Sequence, residues 1–195
     1  MIDGQLQKTR KFLTTALSYG FCPYSFANAE TASTEATAWA AISLLDYDAS
    51  LSKIAIDFLI QNQNKDGGWS TSPNLGKSDW TSGPATLAIR LLSDYQQKYF
   101  DGAQIKQVLI NAFHYLLKSR VDFLSPVARL MLFVIEGPAS LHYGRGWPWT
   151  EGCYNWVEPT AYSLMAFKLP CIISEDLAKP AIVHANKFLW RPIPS

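Results

Sequence analysis

Glu35, in the stretch STEATAW (33–39), and Glu158, in WVEPTAY (156–162), hold the same place in two similar segments, each at the start of a predicted helix. A glutamate there has two readings. It can favour the helix by interacting with the N-terminal amides and the dipole. Alternatively it can face an apolar cavity, where burial raises the carboxyl pKa and makes it a proton donor. Aromatic residues recur nearby: Trp39, Trp80, Trp147, Trp149, Trp156 and Tyr162. Their ring faces suit a carbocation or a cationic ligand, and the plain alternative is core packing. We take Glu35 and Glu158 as candidate catalytic carboxyls and Trp39, Trp80, Trp156 and Tyr162 as candidate ligand-binding residues.

These residues sit in an internal repeat. TEATAWAAISLL (34–45), TSGPATLAIRLL (81–92) and VEPTAYSLMAFK (157–168) align as apolar helices with small or polar starts, and SPVARLMLFV (125–134) is a looser fourth copy. Pro84, Pro126 and Pro159 fall near the first turn of each, where a missing N–H costs nothing. Amphipathic stretches lie between them, at 7–20, 51–64, 103–119 and 173–190, with apolar residues three and four apart, as in Ile105, Val108, Leu109 and Ala112. No run alternates long enough to predict a strand. The units recur at roughly 33 to 49 residues, within the range of helical repeats. The chain therefore reads as one all-α domain over 1–195, an α/α array of helical hairpins.

FLIQNQNKDGGWSTSP (58–73) predicts how a hairpin is joined to the next. Phe58 and Leu59 face the core, and Gln63 offers amide donors near the helix end, where carbonyls lack partners. Asp66, Gly67 and Gly68 make a tight turn that tolerates positive φ. Trp69 then folds back so that its ring covers the turn and stacks on the Gln63 amide.

Phe58, Leu59, Gln63, Gly67 and Trp69 match the Phe-Leu-x3-Gln-x3-Gly-x-Trp pattern, and the chain resembles the terpenoid cyclase and protein prenyltransferase superfamily, of squalene–hopene cyclase type. GWPWTEGCYNWVEPTAYSLMAFKL (146–169) resembles a second signature of its bacterial members. The resemblance implies an α/α toroid whose inner helices surround a cavity for isoprenoid chains. No cofactor and no bound metal are expected for this chain. The family's protonating Asp-x-Asp-Asp cluster has no counterpart at Ser33-Thr34-Glu35-Ala36 or Thr81-Ser82-Gly83-Pro84. Asp46-Tyr47-Asp48 follows a helix and is expected to be a solvated turn. Prenyltransferases hold zinc partly through Asp-x-Cys. Glu151-Gly152-Cys153-Tyr154 is similar to it with Glu for Asp, and His184 or His142 would have to complete the set. The plain reading makes Cys153 a small buried residue and Glu151 loop surface.

A closed ring of this family uses about six hairpins, more than a chain of this length supplies at roughly 40 residues each. An open array leaves an apolar end uncovered. A second copy, a partner chain or a capping tail is expected to cover it, unless the chain is part of a larger protein. Phe188-Leu189 begin another such corner that is not completed.

Composition narrows the function classes. Apolar residues make up 48% and charged residues 17%, which argues against disorder. Net charge is +1, from 17 basic and 16 acidic residues without a basic block, so no nucleic-acid partner is expected. The three cysteines, Cys22, Cys153 and Cys171, form no CxxC pair, and a reduced cytoplasmic setting is expected. No stretch reaches the roughly 18 apolar residues of a membrane span. KTRK (8–11) and Ala27-Asn28-Ala29 resemble a secretion signal, but Thr14, Thr15, Ser18, Tyr19 and Pro23 dilute the apolar segment between them. The function expected is binding of an apolar, isoprenoid-like ligand or a partner chain. Enzyme alternatives are a cyclase using Glu35 or Glu158 as acid, or a zinc-dependent prenyltransferase-like activity. A purely structural module is the remaining one.

Overall fold

A computed structural model describes residues 2–25, 28–95, 102–122, 125–137, 145–169 and 175–190. The described residues are mostly helical, as expected. They form α1 (Ile2–Leu17), β1 (Pro23–Ser25), β2 (Asn28–Ala32), α2 (Thr34–Leu44), α3 (Ala49–Gln61), α4 (Ser82–Tyr95), α5 (Gly102–Ser119), β3 (Val121–Asp122), α6 (Pro126–Glu136), β4 (Arg145–Gly146), α7 (Val157–Lys168) and α8 (Glu175–Leu189). Two small antiparallel pairs, β1 with β2 and β3 with β4, were not anticipated from the pattern, because strands this short carry no readable alternation. Asn28-Ala29 of the signal-like stretch lies in β2.

Helix α4 packs against both α2 and α7, making a row of three. Small residues allow this close approach: Ala38, Ala41, Ala85, Thr86, Ala88, Thr160 and Ala166 are all buried. The amphipathic helices lie behind the row, α3 on α2 and α4, α5 on α4, and α8 on α7. Burial on several sides explains why α2 is apolar almost all round, whereas α5 buries one stripe. The Asp46-x-Asp48 segment joins α2 to α3 as a turn. Asp48 caps α3 by accepting from the Leu51 N–H at 3.2 Å and pairs with Arg10 at 2.9 Å.

Each row helix is anchored to an extended residue before it. The Cys22, Trp69 and Trp147 N–H groups donate to the hydroxyls of Thr37, Ser82 and Thr160 at 2.9, 2.8 and 2.9 Å. Their carbonyls accept from the N–H groups of Ser33, Asp79 and Trp156. In the second and third anchors the indole completes the clamp. Trp69 Nε1 donates to Leu59 O at 2.7 Å, and Trp147 Nε1 donates to Leu116 O at 2.8 Å. Both rings are essentially fully buried. Gln63 reaches beyond its own helix. Its Nε2 donates to Gly67 O and to Val108 O of α5, both at 2.9 Å, tying the corner to the next outer helix. Asp66 closes the turn by accepting from Gly68 N and Ser78 Oγ. Gly67 has φ +92°, and a Cβ there would overlap the Asn111 carbonyl of α5. Only glycine meets both demands.

The expected fourth row helix is corrected. Residues 125–134 do form a helix, α6, capped by Ser125, but it does not join the row. Val127, Leu130, Met131, Val134 and Ile135 are 63–78% exposed. The reason lies in the corner. Ten residues separate Leu59 from Trp69, whereas thirty-one separate Leu116 from Trp147. The segment containing β3, α6 and β4 is thus inserted within one corner, and no anchor of the kind that holds the row helices is found for α6 among the described residues.

Trp69→Ala is expected to lower unfolding stability by about 3–5 kcal/mol, as for other buried aromatic truncations. Gly67→Ala is expected to cost more than about 1 kcal/mol, because it meets both positive φ and the α5 backbone. Urea unfolding midpoints measure both, and a Trp69→Ala midpoint equal to wild type would contradict the anchoring role.

Candidate functional site

The anchor hydroxyls provide a common register for the row. Two residues before Thr37, Ser82 and Thr160 stand Glu35, Trp80 and Glu158. Helix α4, which Trp80 precedes, packs against both α2 and α7, the helices that carry the two glutamates. This register replaces the alignment that set Thr81-Ser82-Gly83-Pro84 against the glutamate segments: α4 begins at its anchoring hydroxyl, whereas α2 and α7 begin three residues before theirs.

Five of the predicted ligand-site and catalytic residues meet here in a chain of side chains. One turn beyond Glu35, the Trp39 indole lies beside the Glu35 carboxyl and favours its ionised form. One turn beyond Glu158, the Tyr162 hydroxyl donates to Glu158 Oε1 at 2.8 Å. The Trp39 and Tyr162 rings pack edge to face with centroids 5.0 Å apart. Tyr162 lies 6.4 Å from Trp80, which meets Trp149 edge to face at 4.4 Å. Both glutamates, Trp39, Tyr162 and Trp80 are thereby brought together. Trp156 is not among them. It precedes α7, its indole is 56% exposed, and it makes no ring contact with a described residue. Trp147 serves the fold as an anchor, as Trp69 does. The recurrence of Gly-Trp thirteen residues before a hydroxyl was the signal for that role.

Burial, followed by the charge of Glu158, raises the Glu35 pKa above the ordinary glutamate value, and the Trp39 indole offsets part of this. Glu35 is half-buried, while Glu158 is exposed. Tyr162 is pushed up to about 12 by desolvation and by its bond to Glu158, so its hydroxyl remains a donor at neutral pH. The arrangement can hold a proton on Glu35 beside a polarised tyrosine, with aromatic faces next to both. Trp39 also lines an apolar cavity of about 230 Å³ between α1 and α2, with Phe12, Leu13 and Ala36. A second cavity, of about 430 Å³, lies on the far side of Trp80 and Trp149, and neither glutamate lines it.

The zinc alternative gains no geometry. Glu151 pairs with Lys77 at 3.0 Å, Cys153 is exposed rather than buried, and no group of three metal-ligating side chains converges among the described residues. His184 lies on α8, while His142 and Cys171 lie outside the described residues. Cys153 is exposed because its loop carries it to the surface between Gly152, with φ +84°, and the exposed Tyr154. Cys22 is buried in its anchor, and burial pushes its thiol up to about 11, which leaves it protonated and unreactive at neutral pH. No described helix is long and apolar enough to cross a membrane.

The sign of the Glu35 shift fixes its pH signature. The folded state retains a proton that the unfolded chain releases. Stability therefore falls as pH rises from the ordinary glutamate value through the folded pKa of Glu35. Glu35→Gln is expected to flatten that slope in urea titrations across acidic to neutral pH. Glu158→Gln is expected to lower the Glu35 pKa, read by carboxyl NMR titration, without returning it to the ordinary value, because burial is the larger cause. A Glu35 titration unmoved by Glu158→Gln would show that the two carboxyls do not interact.

Compared with known proteins, the chain matches no family model, and no curated protein or solved structure is significantly similar to it.

Proposed function

We propose that the chain is a short α/α repeat protein of terpenoid cyclase and prenyltransferase type, and that it binds an apolar, isoprenoid-like ligand at the starts of α2, α4 and α7. The observation that carries this reading is the meeting of Trp39 of α2, Tyr162 of α7 and Trp80 of the turn before α4, beside an apolar cavity. Binding sites combine largely apolar and aromatic walls with a few placed polar groups. Here those groups are Glu35, Glu158 and Tyr162. The exposed apolar side chains Leu177, Val183 and Trp190 of α8 and its end support a second copy or partner chain covering the last hairpin.

A second reading makes the site catalytic, with Glu35 as the proton donor of a cyclase-like isomerisation. The raised Glu35 pKa favours it, since a carboxyl that keeps its proton to higher pH than an ordinary glutamate is better suited to donate it. Glu158 and Tyr162 would then position and polarise the acid.

Incubation with geranylgeranyl diphosphate and with squalene, followed by extraction and mass spectrometry, separates the readings. Binding alone predicts retained, unchanged lipid. Trp39→Ala is expected to weaken retention about tenfold, the equivalent of roughly 1.4 kcal/mol. Turnover by wild type that Glu35→Gln abolishes, with lipid retention preserved, would establish the catalytic reading. Neither retention nor turnover would eliminate both.

A further inference from the structure

The cavity of about 430 Å³ has a composition unlike that of the glutamate site. It lies where the loop before α4, the end of α5 and the loop before α7 meet. Trp80 and Trp149 stand at 78° to one another with centroids 4.4 Å apart, so they form two walls of an aromatic corner. Tyr115 and the buried Trp147 add further aromatic surface. Three carboxylates, Asp66, Asp79 and Glu151, face two ammonium groups, Lys77 and Lys118, leaving an excess of one negative charge.

These carboxylates are not equally free. Both oxygens of Asp79 are committed to Thr71 and Thr81, and Asp66 Oδ1 is held by Gly68 and Ser78. Asp66 and Asp79 therefore act by their field. Glu151 differs: among the described residues it pairs with Lys77, at 3.0 Å, and both side chains are largely exposed, at 79% and 67%. An exposed ion pair of this kind contributes little and exchanges readily. Lys77 thus serves as a replaceable cation at the mouth of an aromatic corner.

We propose that this cavity is a binding site for a compact organic cation, an alkylated ammonium on a small apolar body, held against the Trp80 and Trp149 faces with Glu151 as its counter-ion in place of Lys77. Aromatic faces recognise a weakly hydrated ammonium through the ring quadrupole, most strongly when water is excluded. The excess negative charge opposes anions. Burial, with Asp66, Asp79 and Glu151 nearby, holds the Tyr115 pKa far above the tyrosine range, so Tyr115 stays neutral and adds no competing charge. The site shares Trp80 with the one proposed for the apolar ligand but is otherwise distinct, since neither Glu35, Glu158, Trp39 nor Tyr162 lines it.

Calorimetric titration with choline and with 3,3-dimethylbutan-1-ol, its uncharged counterpart of the same shape, tests the proposal on the full chain. Choline is expected to bind about tenfold more tightly than the alcohol, within the range of desolvated cation–π contacts. NMR is expected to show shifts of the Trp80 and Trp149 indole N–H signals on choline binding. Trp149→Leu is expected to weaken choline binding about tenfold, and Glu151→Gln about threefold, while Lys77→Gln strengthens it by removing the competitor. Glu151 and Lys77 are exposed, so their variants decide the matter if Trp149→Leu does not fold. No binding, equal affinity for the two probes, or choline binding unchanged in Glu151→Gln and Lys77→Gln would overturn it.

Discussion

A buried indole N–H donating to a helix carbonyl holds the array together. Trp69 reaches Leu59 O and Trp147 reaches Leu116 O, in each case while the residue's own amide is bonded to a hydroxyl on the following row helix. One residue thus supplies a large apolar surface, satisfies a carbonyl and fixes the start of the next helix. A carbonyl left without a partner in that setting would cost about 1–3 kcal/mol. The requirement for a donor as well as bulk explains why tryptophan, rather than phenylalanine, fills both places. Cys22 repeats the backbone part of the anchor without the ring, and it lies at the first unit.

The glutamate site follows from this register. Because the anchors align the row helices, residues two before each hydroxyl become neighbours, and Glu35 and Glu158 are brought close enough to raise the Glu35 pKa. Two carboxyls in one aromatic setting disfavour their joint ionisation. For Glu35 the nearby Trp39 indole offsets part of that cost.

Irregularity between the units generates the remaining features. The insertion between Leu116 and Trp147 places β3 and β4 together at the edge of the 430 Å³ cavity and carries α6 outward. The repeat itself would have left neither. Lengthening one corner changes little in stability as long as its closing bonds survive, and here the Trp147 anchor keeps the geometry of Trp69.

Local chemistry made much of this legible. Apolar residues three and four apart marked the helices, prolines marked their starts, and Asp66-Gly67-Gly68-Trp69 marked a corner, because each is a demand met within a few residues. The helical class and the glutamate and aromatic candidates followed from the same patterns. What the sequence could not assign was partnership across units. Gln63 bonding to Val108, Trp156 remaining outside the aromatic chain, and Trp80 meeting Tyr162 all depend on how the units pack together. Helix α6 shows the limit most clearly. Its own residues specify a helix, but whether a helix is buried is decided by neighbours that can approach it, and that is a property of the assembled row.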